Sequence, residues 1–202
     1  MARWTSKELI LNIKTSQEAI IFLEAIQKQI KIVDIFADYI PGKVTIRFEG
    51  AKENLKEAIE IAKKIHQMVN GMLYPDSKDL YEYNIGFISK MSGKTFPLKV
   101  IERILTLKGF ELSRENEILY TKIDYKNIMK VITAIDQMLS EMPYEVSTSS
   151  LRDVIVTIAI IKNITIQDTI TLLKKTEAIK EDDLQRLILS MEPEQAINLS
   201  LK

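Results

Sequence analysis

The order of predicted elements repeats along the first part of the chain. A strand, helix, strand, strand, helix series covers Leu9–Val69, and the same order returns over Tyr81–Met142. Short alternating apolar runs predict the strands, and apolar residues spaced by three or four predict the helices. Two helices can bury their apolar sides only by packing on one face of a three-stranded sheet. We therefore expect an α+β protein with tandem βαββα repeats, residues 1–71 and 72–142.

In the first repeat, the segment after the Pro41-Gly42 turn alternates apolar and polar residues. Such alternation predicts a strand with one face in the core and the other toward solvent. The buried side of the first helix is expected to carry Ile20, Leu23, Ile26 and Ile30. In the strand, Val44, Ile46 and Phe48 would share one sheet face, and Lys43, Thr45 and Arg47 the other.

In the second repeat, a strand is expected over Tyr81–Ser89, with Tyr81, Tyr83 and Phe87 on one face. Tyr120 lies on a later strand together with Lys122. One aromatic set must pack on helices, so at most one is free to stack on bases. If the two repeats pair their sheets edge to edge, they form a six-stranded sheet with four helices behind it.

The segment Gly42–Gly50, Gly-Lys-Val-Thr-Ile-Arg-Phe-Glu-Gly, is followed by an amphipathic helix. It resembles the end of the small dimerising subunit of the archaeal KEOPS tRNA-modification complex, a protein related in shape to KH domains. The resemblance covers part of each repeat and implies proximity to RNA and a scaffold role. The chain lacks the Gly-x-x-Gly clamp of KH domains, so RNA contact through that clamp is not expected. The whole chain also resembles an archaeal family without an assigned function.

Residues 143–202 are expected to form a C-terminal helical segment. Ser147-Thr148-Ser149-Ser150 predicts a linker that ends in a helix cap, and Thr165 predicts the cap of a second helix. A third helix is expected over Glu181–Met191. Three short helices can form a DNA-reading helix-turn-helix, but the acidic start of the third disfavours phosphate there. A helical cap or a partner-docking bundle fits this segment better.

Basic side chains are the candidate binding residues. Lys99 and Arg103 share one helical face, and Lys90 and Lys94 lie just ahead of that helix. A nucleic-acid backbone requires spaced positive charge of this kind, although a merely solvated surface has the same appearance. With the sheet residues, the predicted nucleic-acid-binding set is Lys43, Arg47, Lys90, Lys94, Lys99, Arg103 and Lys122.

The tetrapeptide Ser92-Gly93-Lys94-Thr95 is expected between a strand and a helix, where a phosphate loop belongs. A P-loop needs a further glycine five residues before the second one, and Ile88 holds that position. Nucleotide hydrolysis is therefore not expected. An ordinary polar loop and a weaker anion site at the helix N-terminus stay open.

The sequence contains no recognisable catalytic constellation. It has no cysteine, so thiolate metal sites and disulfides are excluded, and its one histidine is His66. His66 falls on the apolar side of its helix, where a packed imidazole is expected. Asp182 and Asp183 are adjacent, so their carboxylates point apart and are expected to cap a helix start. We expect a protein that is not an enzyme and has no cofactor.

Composition limits the cellular setting more than the partner. Basic and acidic side chains total 28 each, so the net charge provides no attraction to DNA or to acidic membranes. The N-terminal residues 1–7 lack a signal-peptide core, and no apolar run is long enough to span a membrane. We therefore expect a cytoplasmic protein without membrane contact. The lysine-rich and isoleucine-rich usage is typical of a heat-adapted microbe, such as an archaeon.

These observations favour a non-catalytic RNA-associated binding or scaffold protein that contacts the phosphate backbone of tRNA or rRNA. The alternative is a protein–protein adaptor that docks a partner through its sheet face or its apolar C-terminal helices. Small-ligand sensing between the repeats is a third hypothesis. The family resemblance favours RNA, whereas the neutral charge favours the adaptor. Unpaired sheet edges also predict a homodimer.

Overall fold

The structure is a computed structural model that describes residues 4–202. Residues 1–3 of the N-terminal stretch tested for a signal peptide lie outside the described residues. Helices and small antiparallel sheets alternate along the chain, which confirms the predicted α+β class.

The first segment has the predicted order βαββα. Its elements are β1 (Trp4–Asn12), α1 (Ser16–Gln29), β2 (Asp34–Ile40), β3 (Lys43–Ala51) and α2 (Lys52–Leu73). The central strand is β3, which pairs antiparallel with β1 on one side and β2 on the other. Gly42 closes the β2–β3 hairpin with a φ of 90°, a backbone conformation that glycine adopts without a steric cost. Both β1 and β2 are edge strands of this sheet.

Burial in β3 follows the predicted alternation. Val44, Ile46 and Phe48 are fully buried, and α2 packs on the sheet from their side. The predicted buried side of α1 is partly wrong, because Ile20 is 58% exposed. Ile26 is buried as predicted, and Phe22 and two alanines, Ala19 and Ala25, are buried beside it. At about 100° per residue, Ile20 lies on the side of α1 opposite these buried residues.

The second segment contains an additional helix. Its elements are β4 (Tyr81–Asn84), α3 (Ile85–Ser92), α4 (Leu98–Leu107), β5 (Leu112–Glu115), β6 (Ile118–Thr121) and α5 (Tyr125–Ser140). The strand predicted over Tyr81–Ser89 ends at Asn84, because the Asn84 side chain accepts the Phe87 N–H at 2.8 Å and caps α3. Tyr83 and Phe87 of the predicted aromatic set are buried and belong to the core, whereas Tyr81 is half-buried.

The second sheet has the order β4-β6-β5 and is separate from the first sheet. The six-stranded sheet expected from edge-to-edge pairing of the repeats is therefore not formed. Each of the two sheets nevertheless places its third strand between its first and second, so the predicted repetition of topology is present.

The last segment is not purely helical. Its elements are α6 (Ser149–Lys162), α7 (Ile166–Lys175), β7 (Ile179–Glu181), β8 (Leu187–Leu189) and α8 (Pro193–Leu201). Thr165 caps α7 as predicted. Thr148 caps α6, so this helix begins within the predicted linker rather than after it. The helix predicted over Glu181–Met191 is wrong, since this stretch forms the antiparallel β7–β8 hairpin.

Asp182 was expected to cap a helix start, but it instead closes the turn of the β7–β8 hairpin. Its Oδ1 accepts the N–H groups of Leu184 and Arg186, both at 2.9 Å, and its Oδ2 accepts from the Arg186 side chain. These bonds close the turn in place of a helical one. Gln185 adopts a φ of 58° within the same turn.

The last segment resembles the other two in the order of its elements but not in its strand directions. Val146 forms an isolated parallel bridge to Leu187 of β8, and β8 pairs with β7. The order Val146, β8, β7 is again first, third, second. This segment begins with a single bridging residue, and its bridge is parallel, whereas β1 and β3 pair antiparallel. The third copy therefore repeats the order of elements only.

The chain divides into two compact units. One comprises Met1–Lys94 and Glu115–Tyr120, and the other comprises Thr95–Arg114 and Thr121–Lys202. In the second unit, α6 is buried within a core that includes Val154, Ile158, Ile170, Leu173, Leu187 and Ile197. No single helix of the described residues is long and apolar enough to span a membrane, and α6 and α7 meet that test only as a pair bent by 106°.

The two phenylalanines of the first sheet provide a matched test of this fold. Phe48 is fully buried, whereas Phe36 is 49% exposed. We expect Phe48→Ala to reduce the free energy of unfolding by about 3–5 kcal/mol, because it removes a buried ring and leaves a cavity. Phe36→Ala should cost less than about 1 kcal/mol. Urea denaturation followed by circular dichroism measures both, and equal losses would contradict the assigned faces.

Candidate functional site

The first sheet has one face that α1 and α2 leave uncovered. Because directly paired residues of neighbouring strands point to the same side, the strand register defines its members. All of them are exposed or half-buried. We call this surface the open face, and it consists of Trp4, Ser6, Glu8, Ile10 and Asn12 of β1, Asp34, Phe36, Asp38 and Ile40 of β2, and Lys43, Thr45, Arg47, Glu49 and Ala51 of β3.

Large apolar side chains of the open face are exposed on both edge strands. Trp4 and Ile10 of β1 are 68% and 55% exposed, and Ile40 of β2 is 58% exposed. Phe36 lies on the same side of β2. Apolar side chains that are concentrated on one uncovered sheet face, rather than scattered singly, are typical of an interaction surface.

The charges of the open face are mainly negative. Four carboxylates, Glu8, Asp34, Asp38 and Glu49, face two cations, Lys43 and Arg47, so the net charge of this surface is −2. The carboxylates on the edge strands flank the cations on the central strand.

Arg47 has protein partners already. Its Nε lies 3.1 Å from Glu49 Oε1, and its guanidinium lies 4.9 Å from the centre of the Phe36 ring. Both contacts hold the guanidinium against the sheet, where the carboxylate and the ring compensate its charge. Arg47, which was predicted to contact RNA, therefore lies on the surface, but its charge is already paired with Glu49.

Two further predicted cations, Lys99 and Arg103 of α4, lie near carboxylates of the second unit. Arg103 donates to Glu194 Oε1 through Nε at 3.0 Å and also through Nη2. Both residues act on Asp153 of α6. Burial raises the pKa of Asp153, and the positive charges of Arg103 and Lys99 oppose that rise. The charge of Arg103 is thus compensated by Glu194 at the surface, whereas Lys99 is exposed.

The loop around Lys94 is a helix end. Gly93 ends α3 in the left-handed region, with a φ of 69°. The Lys94 N–H donates to Ser89 O at 3.2 Å and to Ser92 Oγ at 3.3 Å, so this amide is not directed at a ligand. The tetrapeptide expected at a phosphate loop is a helix C-cap and the connection that follows it.

The seven predicted residues do not form one surface within the first unit. Lys90 and Lys94 lie at the end of α3, which contacts α1 on the helix side of the first sheet. Lys28 of α1 donates to the carbonyl of Met91 there. Lys43 and Arg47 point from the opposite side of that sheet. The remaining three, Lys99, Arg103 and Lys122, belong to the second unit.

A buried polar cluster in the first unit was missed by the sequence analysis. Glu18 of α1 is fully buried, and its Oε2 accepts the Lys14 N–H at 2.8 Å and the Tyr74 hydroxyl at 2.9 Å. Its Oε1 has no hydrogen-bond partner among the described residues and lies 3.3 Å from His66 Nε2. The Thr15-x-x-Glu18 pattern, which predicts a capping box, was the available signal.

His66 packs as expected but also has polar neighbours. Its ring meets Phe22 edge to face at 5.6 Å, and its Nε2 lies 3.0 Å from Asn70 Nδ2. His66 and Glu18 therefore join α2 to the start of α1. Among the described residues, no group of three or more His, Cys, Asp or Glu side chains is placed to hold a metal ion.

The fold and the open face define an α+β protein with a repeated three-strand topology and an exposed, mixed apolar and acidic sheet surface. The chain belongs to the family described as uncharacterized proteins conserved in archaea, DUF2067, whose model matches residues 11–198. The predicted membership of an archaeal family without an assigned function is thereby confirmed.

No curated protein and no solved structure matches the chain. The resemblance to the small KEOPS subunit gains no support from these comparisons and stays a prediction.

Substitutions of Glu18 test the buried cluster. We expect Glu18→Ala to lower the free energy of unfolding by about 3 kcal/mol, because the Lys14 N–H and the Tyr74 hydroxyl lose their buried acceptor. Glu18→Gln retains an acceptor oxygen and should cost about 1 kcal/mol. Urea denaturation at neutral pH measures both changes. Equal stability of the two variants would show that the acceptor oxygens do not matter.

Asp153→Asn tests the electrostatics around α4 and α6. Because the pKa of Asp153 is raised by folding, the folded state binds its proton more tightly than the unfolded chain. Wild-type stability therefore falls as pH rises from the ordinary pKa of aspartate, about 4, through the raised one. We expect the asparagine variant to be more stable at pH 7, by less than about 1 kcal/mol, since the site is partly solvated.

The advantage of Asp153→Asn should disappear below the unfolded-state pKa, where both side chains are neutral. Chemical denaturation of both proteins at pH 7 and pH 3 measures this difference. A variant that is less stable than the wild type at pH 7 would show that the attraction to Arg103 and Lys99 outweighs burial.

Proposed function

We propose that this protein is a non-catalytic scaffold that binds a partner protein on the open face of its first sheet. The observation that carries the proposal is the combination of exposed apolar side chains and excess carboxylates on one uncovered surface. The occupant we infer is a protein segment that is both apolar and basic.

Charge complementarity supports this partner. Glu8, Asp34 and Asp38 lie on the edge strands, where lysines or arginines of a partner would meet them at the rim. Trp4 and Phe36 provide apolar area, and aromatic residues and arginine are common among the residues that dominate interface energies. Arg47, which lies over Phe36, belongs to the same group.

The KEOPS resemblance also favours a scaffold role for this face. The residues that carry it, Gly42–Gly50, include most of β3, the central strand of the open face. That resemblance implies a small protein that acts through association. Association with a protein does not require the KH-type Gly-x-x-Gly clamp, which this chain lacks.

Direct binding of RNA is the weaker proposal. An RNA backbone brings one negative charge per nucleotide, and the open face presents four carboxylates to it. Arg47 and Arg103 are paired with Glu49 and Glu194. RNA association through the seven predicted cations stays a prediction, and the geometry favours the protein partner over it.

The first test identifies the occupant at position 36. A photoreactive amino acid in place of Phe36 is cross-linked in cells of the native host, and the cross-linked partner segment is sequenced. The partner is then purified, and its affinity for the unmodified protein is measured by calorimetry. We expect the cross-linked segment to contain apolar residues together with Lys or Arg.

Matched variants complete this test. The double variant Phe36→Asp, Ile40→Asp should weaken partner binding at least tenfold, since it removes two apolar contacts and adds negative charge. Ile20→Asp is the control, because Ile20 is equally exposed but lies on α1, away from the open face. Equal losses in both variants, or no loss in either, would contradict the proposal.

Two other occupants are separate outcomes of the same series. The molar mass of the purified protein is measured by light scattering from 1 to 100 µM, on the order of common dimer affinities. A dimer that is lost in the Phe36→Asp, Ile40→Asp variant would identify a second copy of the chain as the occupant. Binding of tRNA that weakens steeply with salt and is lost in Lys43→Glu, Arg47→Glu would establish RNA instead. Either result would overturn the assigned partner.

A further inference from the structure

A cavity in the first unit lies apart from the open face. Its volume is about 270 Å³, and none of its lining residues belongs to the open face. It forms where the end of α2 meets β4 and β6. The polar side chains that line it are Lys14, Asn70, Tyr74, Asp76, Glu82 and Tyr120.

A glycine in α2 allows Glu82 to lie at the wall of this cavity. Gly71 of α2 lies against β4, and a Cβ at this position would come within 3.0 Å of Glu82 Cβ. The absence of a side chain therefore lets the end of α2 approach Glu82 directly. The carboxyl end of a helix carries partial negative charge, so α2 and Glu82 both favour a cation here.

The rim of the cavity is a closed turn with a fixed carboxylate. Asp76 Oδ1 accepts the N–H groups of Lys78 at 2.8 Å and Leu80 at 2.9 Å. The bond from Leu80, and to a smaller extent the bond from Lys78, holds the pKa of Asp76 below its usual range. The carboxylate therefore stays charged at neutral pH. Its second oxygen is not used by those two bonds.

Two tyrosines complete the wall and remain protonated. Burial raises the pKa of Tyr120, and the charges of Glu82 and Glu115 raise it further. Burial also raises the pKa of Tyr74, whose hydroxyl donates to the buried Glu18. The cavity lining therefore combines neutral aromatic rings with two carboxylates and one ammonium group.

An ammonium group already occupies part of this cavity. Lys14 Nζ lies 3.9 Å from the centre of the Tyr74 ring, which is close cation–π geometry. Lys14 itself is exposed and belongs to no ion pair among the described residues. The chain thus shows that the Tyr74 ring accepts a primary amine at this position.

We propose that this cavity binds a small organic amine, held by the carboxylates of Glu82 and Asp76 and by the rings of Tyr74 and Tyr120. A volume of about 270 Å³ admits an alkyl diamine or a compound of similar size, but not a nucleotide. The proposal does not depend on the open face or on its partner. It also gives a location to the third hypothesis, the sensing of a small ligand.

The test uses 1,4-diaminobutane as the probe and the full-length protein. Tyrosine ring signals and the Gly71 amide are followed by NMR during titration at constant ionic strength. We expect saturable shifts confined to the cavity, with a Kd in the millimolar range or below, as is typical of a ligand with so few atoms. Glutarate, an anion of comparable length, should cause no such shifts.

Three variants, each with a new side chain of nearly the same size as the original, make the test specific. Glu82→Gln should weaken binding of the diamine about tenfold, because it removes the charge partner. Glu24→Gln makes the same charge change at an exposed position of α1 and should leave binding unchanged. Lys14→Met removes the competing ammonium and should tighten binding several-fold.

The response to Lys14→Met separates an amine site from an anion site. An anion site would depend on Lys14 and lose affinity in this variant. The proposal is overturned if no saturable shifts occur at 50 mM diamine, roughly tenfold above the expected range, or if Glu82→Gln binds as well as the wild type. It is also overturned if glutarate binds and depends on Lys14. Circular dichroism of each variant establishes that it is folded.

Discussion

The structure of the first unit depends on the alternation of side chains along β3. Every second residue enters the core, where Val44, Ile46 and Phe48 are fully buried. The residues between them are directed to the other side, where Arg47 and Glu49 form an ion pair. Because a strand has a period of two, a shift of register by one residue would exchange the core and the open face completely. The same physical constraint therefore sets both the stability of the sheet and its chemistry.

Much of this part could be predicted from the sequence, because short-range signals agree with the final contacts. The alternation in β3 and the Gly42 turn act between near neighbours, as does the Thr165 cap in the second unit. The incorrect strand over Tyr81–Ser89 shows the limit of such signals. An apolar run is compatible with a strand or a buried helix, and the Asn84 side chain decides between them by capping α3.

The candidate sites depended on long-range contacts that no local pattern encodes. Lysines and arginines that are close in sequence predicted a basic surface, but Glu194 lies far along the chain from Arg103 and pairs with it. Likewise, Glu18 and Tyr74 meet only after α1 and α2 have packed together. Local charge patterns therefore indicated which residues carry charge but not which charges remain free. The hairpin at Asp182 was missed for a related reason, since an acidic run suits either a helix start or a closed turn.

The repeated order of elements does not distribute the binding surface equally. The strands of the first sheet contain nine, seven and nine residues, whereas those of the second contain four each and the last hairpin strands three each. At about 3.3 Å per residue, a nine-residue strand extends about 30 Å and a four-residue strand about 13 Å. A short strand places two side chains on each face, which is too few to combine an apolar centre with a charged rim. The first sheet alone has the length for both, so an interaction surface of this kind belongs to that copy of the repeated topology.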